Sequence, residues 1–354
     1  MITYEKLTGG VYTIAEMSAN HAGRLENALA IVHAARDAGA DCLKTQTYTA
    51  DTLTIDCDSE SFRIRGGLWD GRTLYELYRE AYTPWEWQPV IKRECDAAGL
   101  DFLSTPFDAT AVDFLEEMDV SAYKIASFEL VDIPLIEYAA GKGKPMILSC
   151  GMGSANEIQD AVDACKRAGN EQIVLLKCCS EYPAKYEDMH LATIADMRGR
   201  FGLPVGLSDH SMGHPAAVVG VSLGACVIEK HFCLSRAIEN PDSAFSMEPD
   251  EFAQMVHSVR QAAAIRGTVT YERTPSEQKS LVFRKSIFAV KDIRRGEPFT
   301  RENIRVIRPG SGLAPKRWNA LLQTKAARDI RRGEPIRPED AGWKIQPNST
   351  DDIL

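Results

Sequence analysis

None of the nine cysteines stands in a Cys-x-x-Cys spacing, and many lie inside apolar runs. That argues against a disulfide framework or a cysteine-built zinc site, and leaves reduced core thiols of a cytoplasmic protein as the expectation. Long apolar runs are lacking too. No stretch approaches membrane-spanning length, and the opening "MITYEKLTGG" has no apolar signal core. Nor is there an excess of positive charge. The formal net charge of −9 argues against general nucleic-acid binding, though not against an anionic substrate held by a local cluster of lysines. What remains is 354 residues, 44% hydrophobic and 26% charged, enough for one large globular domain and a small one.

Short apolar runs recur through the first 235 residues: "VYTIAEMS", "DCLKTQTY", "DFLSTPF", "AYKIAS", "PMILSCG", "IVLLKCCS", "PVGLSDHS" and "CVIEKHF". Between them lie segments such as "NALAIVHAARDAG" and "EIQDAVDACKRAG", whose apolar residues recur at helical spacing and which stop at Gly. Eight strands alternating with helices predict an α/β fold, a (β/α)8 TIM barrel over residues 1–267, with a doubly wound open sheet as the competing architecture. The stretch 57–87 is too long for a simple barrel connection and is rich in Trp and Tyr. It either lines a substrate pocket or packs its rings against the barrel. A polar linker, 268–282, leads to a compact, mostly β module at 283–354. That module contains two similar phrases, "VKDIRRGEPFTRENI" and "ARDIRRGEPIRPEDA", with Arg308 in a Gly/Pro loop between them.

Active sites of such barrels sit at the C-terminal ends of the strands. Those ends carry Lys44, Lys124 and Lys177 among small hydroxyl residues, a set suited to a phosphate or carboxylate. Strand seven runs into Ser208, Asp209 and His210. Three consecutive strand residues cannot converge as a Ser-His-Asp relay; Ser208 and His210 share one face and Asp209 the other. His210 and His231 end neighbouring strands, a start for a divalent metal with positions left open for substrate. Mn2+ suits imidazole with oxygen ligands, and Mg2+ is the weaker fit. Cys178 and Cys233, nearby, read as core thiols.

The phrases "IAEMSANHAG", "LKTQTY", "STPFD", "YKIASFE", "ILSCGM", "EYPAKYEDMHL", "GLPVGLSDHSMG", "EKHF" and "PDSAFSMEPDEF" resemble the sialic acid synthase family, and the C-terminal phrases resemble its antifreeze-like (SAF) domain. The resemblance implies a transferase that condenses phosphoenolpyruvate with an N-acylated aminosugar aldehyde, giving a nonulosonic acid and phosphate. It places the metal on His210 and His231, with Mn2+ first and Mg2+ or Co2+ as alternatives. It assigns phosphoenolpyruvate to Lys44, Thr105, Lys124, Ser127, Ser149, Ser180 and Ser208. The sugar falls to Glu16, Gln46, Tyr182, Asp242 and Arg308, the last reaching across a homodimer whose SAF domains are exchanged. Glu129, or Glu16 in its stead, would activate water. Within the family, "RGGLWDGRTLYELYREAYTPWEW" and "SRAIENPDSAFSMEPDEF" resemble the branch whose sugar is a 2,4-diacetamido-2,4,6-trideoxyhexose. The N-acetylneuraminate and legionaminate branches are the alternatives. A Schiff-base aldolase using Lys124 or Lys177, and a non-catalytic carbohydrate-binding protein, are the other classes.

Overall fold

The computed structural model describes residues 1–344, in two compact units, Met1–Gly267 and Thr268 onward. Eight parallel strands form the first unit: β1 (Tyr12–Glu16), β2 (Cys42–Thr47), β3 (Asp101–Pro106), β4 (Tyr123–Ile125), β5 (Met146–Ser149), β6 (Ile173–Cys178), β7 (Val205–Asp209) and β8 (Val227–His231). They neighbour one another in the order β3-β2-β1-β8-β7-β6-β5-β4, and β3 lies beside β4, so the sheet curls into a ring. That is the TIM barrel; an open doubly wound sheet would not bring β1 beside β8. Every residue of β1, β3, β4, β5, β7 and β8 is buried, as expected of parallel strands covered on both faces.

The outer helices follow from their sequences. In Leu25–Asp37, Ala28, Ile31, Val32 and Ala35 fall on one stripe and are buried. In Ala155–Arg167 a capping box between Ser154 and Glu157 starts the helix, and Ile158, Ala161, Val162 and Cys165 bury its stripe. No helix among the described residues is long and apolar enough to cross a membrane.

Strand alternation sorts the barrel interior into layers. The lower layer is apolar and includes Ile14, Cys42, Leu103, Ile147, Val174, Leu176 and Val227. One step further along the same face come Glu16, Lys44, Thr105, Lys124, Ser149, Ser208 and Glu229, all buried. The same alternation corrects one expectation. Lys177 shares its face with Ile173 and Leu175, which belong to the core between strands and helices, so it lies outside the ring, its Nζ donating to the Cys178 carbonyl at 3.0 Å.

In the second unit β9 (Ser286–Ala289) pairs antiparallel with β10 (Ile304–Ile307). The linker region contains a short helix, Pro275–Ser280. The two similar phrases face each other with reciprocal bonds. Ile293 and Ile330 exchange both backbone hydrogen bonds at 2.8 Å, the Asp292 carboxylate accepts from the Arg332 N–H at 2.8 Å, and the Asp329 carboxylate accepts from the Arg295 N–H at 2.7 Å. Gly296 and Gly333, at equivalent places, both take positive φ, 87° and 90°.

Candidate active site

The buried mouth of the barrel holds two cations and two anions in contact. Lys44 Nζ lies 2.8 Å from Glu16 Oε2 and 3.6 Å from Glu229 Oε1, and donates to Thr105 Oγ1 at 3.3 Å. Lys124 Nζ is 3.6 Å from the same Glu229 oxygen, which also accepts from Ser208 Oγ at 3.2 Å. Burial, reinforced by Glu229 against the pull of Lys44, raises the Glu16 carboxyl to about 7. Burial lowers Lys124. Burial would raise Glu229 as well, but Lys124 and Lys44 hold it below the ordinary carboxylate range. Glu229 supplies the internal counter-charge and was not among the residues that the sequence singled out for a role.

Beside the lysines, the loops after β4, β5 and β6 bring together Ser127, Gly151 and Ser180. The Gly151 N–H donates to Ser127 Oγ at 3.0 Å. A Cβ at Gly151 would stand 2.1 Å from Ser180 Oγ and 2.8 Å from Ser127 Oγ, so only glycine lets both hydroxyls approach. Ser149 Oγ is buried nearby on the inner face without a partner. Glu129 Oε2, Glu229 Oε2, His231 Nδ1 and Asn20 Oδ1 are likewise buried and unpartnered. An orphaned buried polar atom costs about 1–3 kcal/mol, so this concentration at the strand ends reads as positions for a ligand.

His210 and His231 lie with ring centroids 5.5 Å apart. His210 Nδ1 sits 2.9 Å from the Cys179 carbonyl, which can only accept, so in the neutral ring Nε2 is the free ligand atom. Burial opposes protonation, but Cys178 and the Cys179 carbonyl raise this imidazole overall, and a metal would have to displace that proton. Burial drives His231 well below its usual value and keeps it neutral, with Nδ1 unpartnered and Asp242 Oδ2 4.0 Å away. Two imidazoles with free nitrogens fit a divalent ion of open coordination. Among the described residues no three His, Cys, Asp or Glu side chains gather closely enough to share one.

Cys178 corrects another expectation. It continues the inner face of Val174 and Leu176, and its Sγ lies 3.6 Å from both His210 Nδ1 and Ser180 Oγ. Burial alone would raise this thiol; the His210 ring more than offsets that and brings it to about 7. Cys178 belongs to the site rather than to the apolar core, whereas Cys233 is buried and its N–H bonds the Met247 carbonyl.

Above this floor opens a cavity of about 410 Å3. Its polar wall includes Ser18, Gln46, Glu129, Tyr182, His231 and Asp242. Gln46 Nε2 donates to Glu16 Oε1 at 2.8 Å and to Ser18 Oγ at 3.0 Å. Ser18 itself adopts a positive φ of 43°. Burial raises Glu129 to about 7, against the pull of Lys124, and raises Asp242. The cavity's apolar lining comes in part from the insertion, through Ile64, Trp69, Leu74, Leu77 and Tyr78, and in part from Tyr48, Leu53, Phe107 and Phe128. Trp69 Nε1 donates to the Pro241 carbonyl at 3.1 Å. The insertion thus lines the cavity and also packs its rings on the barrel, where Trp85 meets Phe114 at 4.8 Å and Trp87 meets His21 at 5.6 Å. Of the residues expected at the site, Arg308 alone lies in the second unit, exposed, just after β10.

Residues 31–271 match the model of the NeuB family and residues 284–341 that of the SAF domain. The chain is 46% identical over 330 residues to the pseudaminic acid synthase of Campylobacter jejuni, covering 93% of this chain and 96% of that one. It is 41% identical to the pseudaminic acid synthase of Helicobacter pylori, covering 92% and 96%. Among solved structures, the N-acetylneuraminic acid synthetase of Leptospira borgpetersenii superposes with a TM-score of 0.70 at 32% identity, over 77% of this chain and 90% of that one.

Proposed function

The chain belongs to the NeuB family, and from that premise we propose that it is a pseudaminic acid synthase. The reaction joins phosphoenolpyruvate, 2,4-diacetamido-2,4,6-trideoxy-L-altrose and water to give pseudaminic acid and phosphate. The observation that carries the substrate choice is the apolar lining of Ile64, Trp69, Leu74, Leu77 and Tyr78 in the same cavity as the polar groups. A deoxygenated carbon and acetamido methyls need apolar contacts of that kind, which a hydroxylated sugar would not reward.

In this reading Lys44, Lys124, Thr105, Ser208, Ser127, Ser149 and Ser180 hold the phosphate and carboxylate of phosphoenolpyruvate. The anion replaces internal pairing that Glu16 and Glu229 provide in its absence. Glu16, Gln46, Tyr182 and Asp242 hold the open-chain sugar. A divalent ion on His210 and His231, Mn2+ by its tolerance of imidazole with oxygen, would supply Lewis-acid polarisation of the aldehyde. C3 of the enol phosphate attacks the aldehyde carbon, and positive charge appears at C2. Glu129 stabilises that charge and takes a proton from the water that adds there. The resulting tetrahedral phosphate ester breaks its C–O bond and releases phosphate. Arg308 serves the sugar's acyl group in the partner subunit of an exchanged homodimer, a role supported by the family resemblance and by its exposed place on the second unit.

The test is a panel of aminosugars incubated with phosphoenolpyruvate, following phosphate release and product mass. The trideoxy diacetamido sugar should be turned over and N-acetylmannosamine poorly; comparable efficiency would move the chain to the neuraminate branch. EDTA should abolish turnover and Mn2+ restore it, and His210→Ala or His231→Ala should each cost orders of magnitude in kcat without unfolding. Full activity in metal-free buffer would exclude the metal role. Borohydride should trap nothing, because this route forms no imine.

A further inference from the structure

On the outer face of the sheet, directly behind the two histidines, lies a buried ion pair that the reaction does not use. Lys230 Nζ stands 2.9 Å from Asp209 Oδ2, with the two side chains 1% and 0% exposed. The same ammonium donates to the Ser211 carbonyl at 2.5 Å. Asp209 Oδ1 in turn accepts from Ser211 N at 2.9 Å and from Ser211 Oγ at 2.6 Å. Lys230 immediately precedes His231, and Asp209 and Ser211 flank His210. One ammonium, on the residue before one histidine, therefore holds the side chain that precedes the other histidine and the backbone carbonyl that follows it. Asp209 and Lys230 are also the last residues paired between β7 and β8. Each histidine sits one step beyond, where its position depends on what holds that last pair.

Stability does not by itself account for such a pair. Removing two charges from water is expensive, and buried pairs replaced by neutral groups of similar shape often leave a protein as stable or more so. Geometry accounts for it better. Groups that orient metal ligands from behind typically govern affinity by roughly 10- to 100-fold.

We infer that Lys230 and Asp209 are positioning residues that set the spacing of His210 and His231 for a divalent ion. The inference rests on the metal reading above. The probe is Mn2+ alone, titrated into EDTA-stripped full-length protein and followed by electron paramagnetic resonance of the free ion, with Tm measured alongside. For the double variant Asp209→Asn/Lys230→Met, Mn2+ affinity should weaken by at least about tenfold, while phosphoenolpyruvate affinity in EDTA changes less than about twofold. Leu115→Ala, a core truncation on an outer helix, should lower Tm and leave Mn2+ affinity alone. If the double variant binds Mn2+ as the wild type does, the positioning role is overturned and the metal site stands. If the wild type takes up no Mn2+, the metal reading and this inference fall together. Should the double variant not fold, Asp209→Asn keeps the shape and the bonds to Ser211; Mn2+ affinity weakened about threefold or more supports the inference, and unchanged affinity overturns it.

Discussion

Glu129 is exposed to two opposing influences: burial lifts its carboxyl to about 7 and Lys124 pulls it down. A base works in its deprotonated form, so turnover should fall as pH drops through about 7 and level off above. Glu129→Gln should lower kcat by about 10^2- to 10^4-fold and remove that acid limb, read from kcat–pH profiles of both proteins. An unchanged profile in the variant would shift the role to Glu16, whose carboxyl also stands at about 7. At this scale the sequence was legible in placing side chains, as with the two histidines at neighbouring strand ends and Lys44 and Lys124 among hydroxyls at the barrel mouth. It was less legible where the face decides. Lys177 and Cys178 are neighbours, and which one enters the barrel depends on strand phase; Val174 and Leu176 were the available signal for it. Gly151 could not be read at all, since its meaning lies in two serines from other loops.

Among elements, the barrel strands stood out because parallel strands covered on both faces read as continuous apolar runs. The insertion did not, because lining a cavity and packing on a barrel ask for the same aromatic residues. Trp69 now separates the two roles, tied by its indole N–H to Pro241 and lying 5.9 Å from the Tyr182 ring. Trp69→Ala should raise the sugar's KM about tenfold or more, as loss of a fully engaged ring costs a few kcal/mol at most, and leave phosphoenolpyruvate binding intact. Steady-state kinetics with each substrate varied in turn would decide; equal effects on both would mean that the ring supports the fold and not the sugar.

For the whole molecule, the two units and their order were readable from the change of composition near residue 268. The proposed exchange of SAF domains is a question for solution. Arg308→Ala and His210→Ala should each be inactive or weak alone. Mixed under proven subunit exchange, they should regain activity, since each heterodimer would carry one site with both lesions and one with neither. A mixture that stays dead would mean that Arg308 serves its own chain. The second unit carries a further lesson in its reciprocal bonds. Asp292 caps the copy that contains Arg332, and Asp329 caps the copy that contains Arg295. The module is thus a two-fold dimer written into one chain, with each half supplying the other's missing partners as in an isologous interface. Neither half is complete without its twin, so the unit forms as a whole, and injuries to the two aspartates will not simply add.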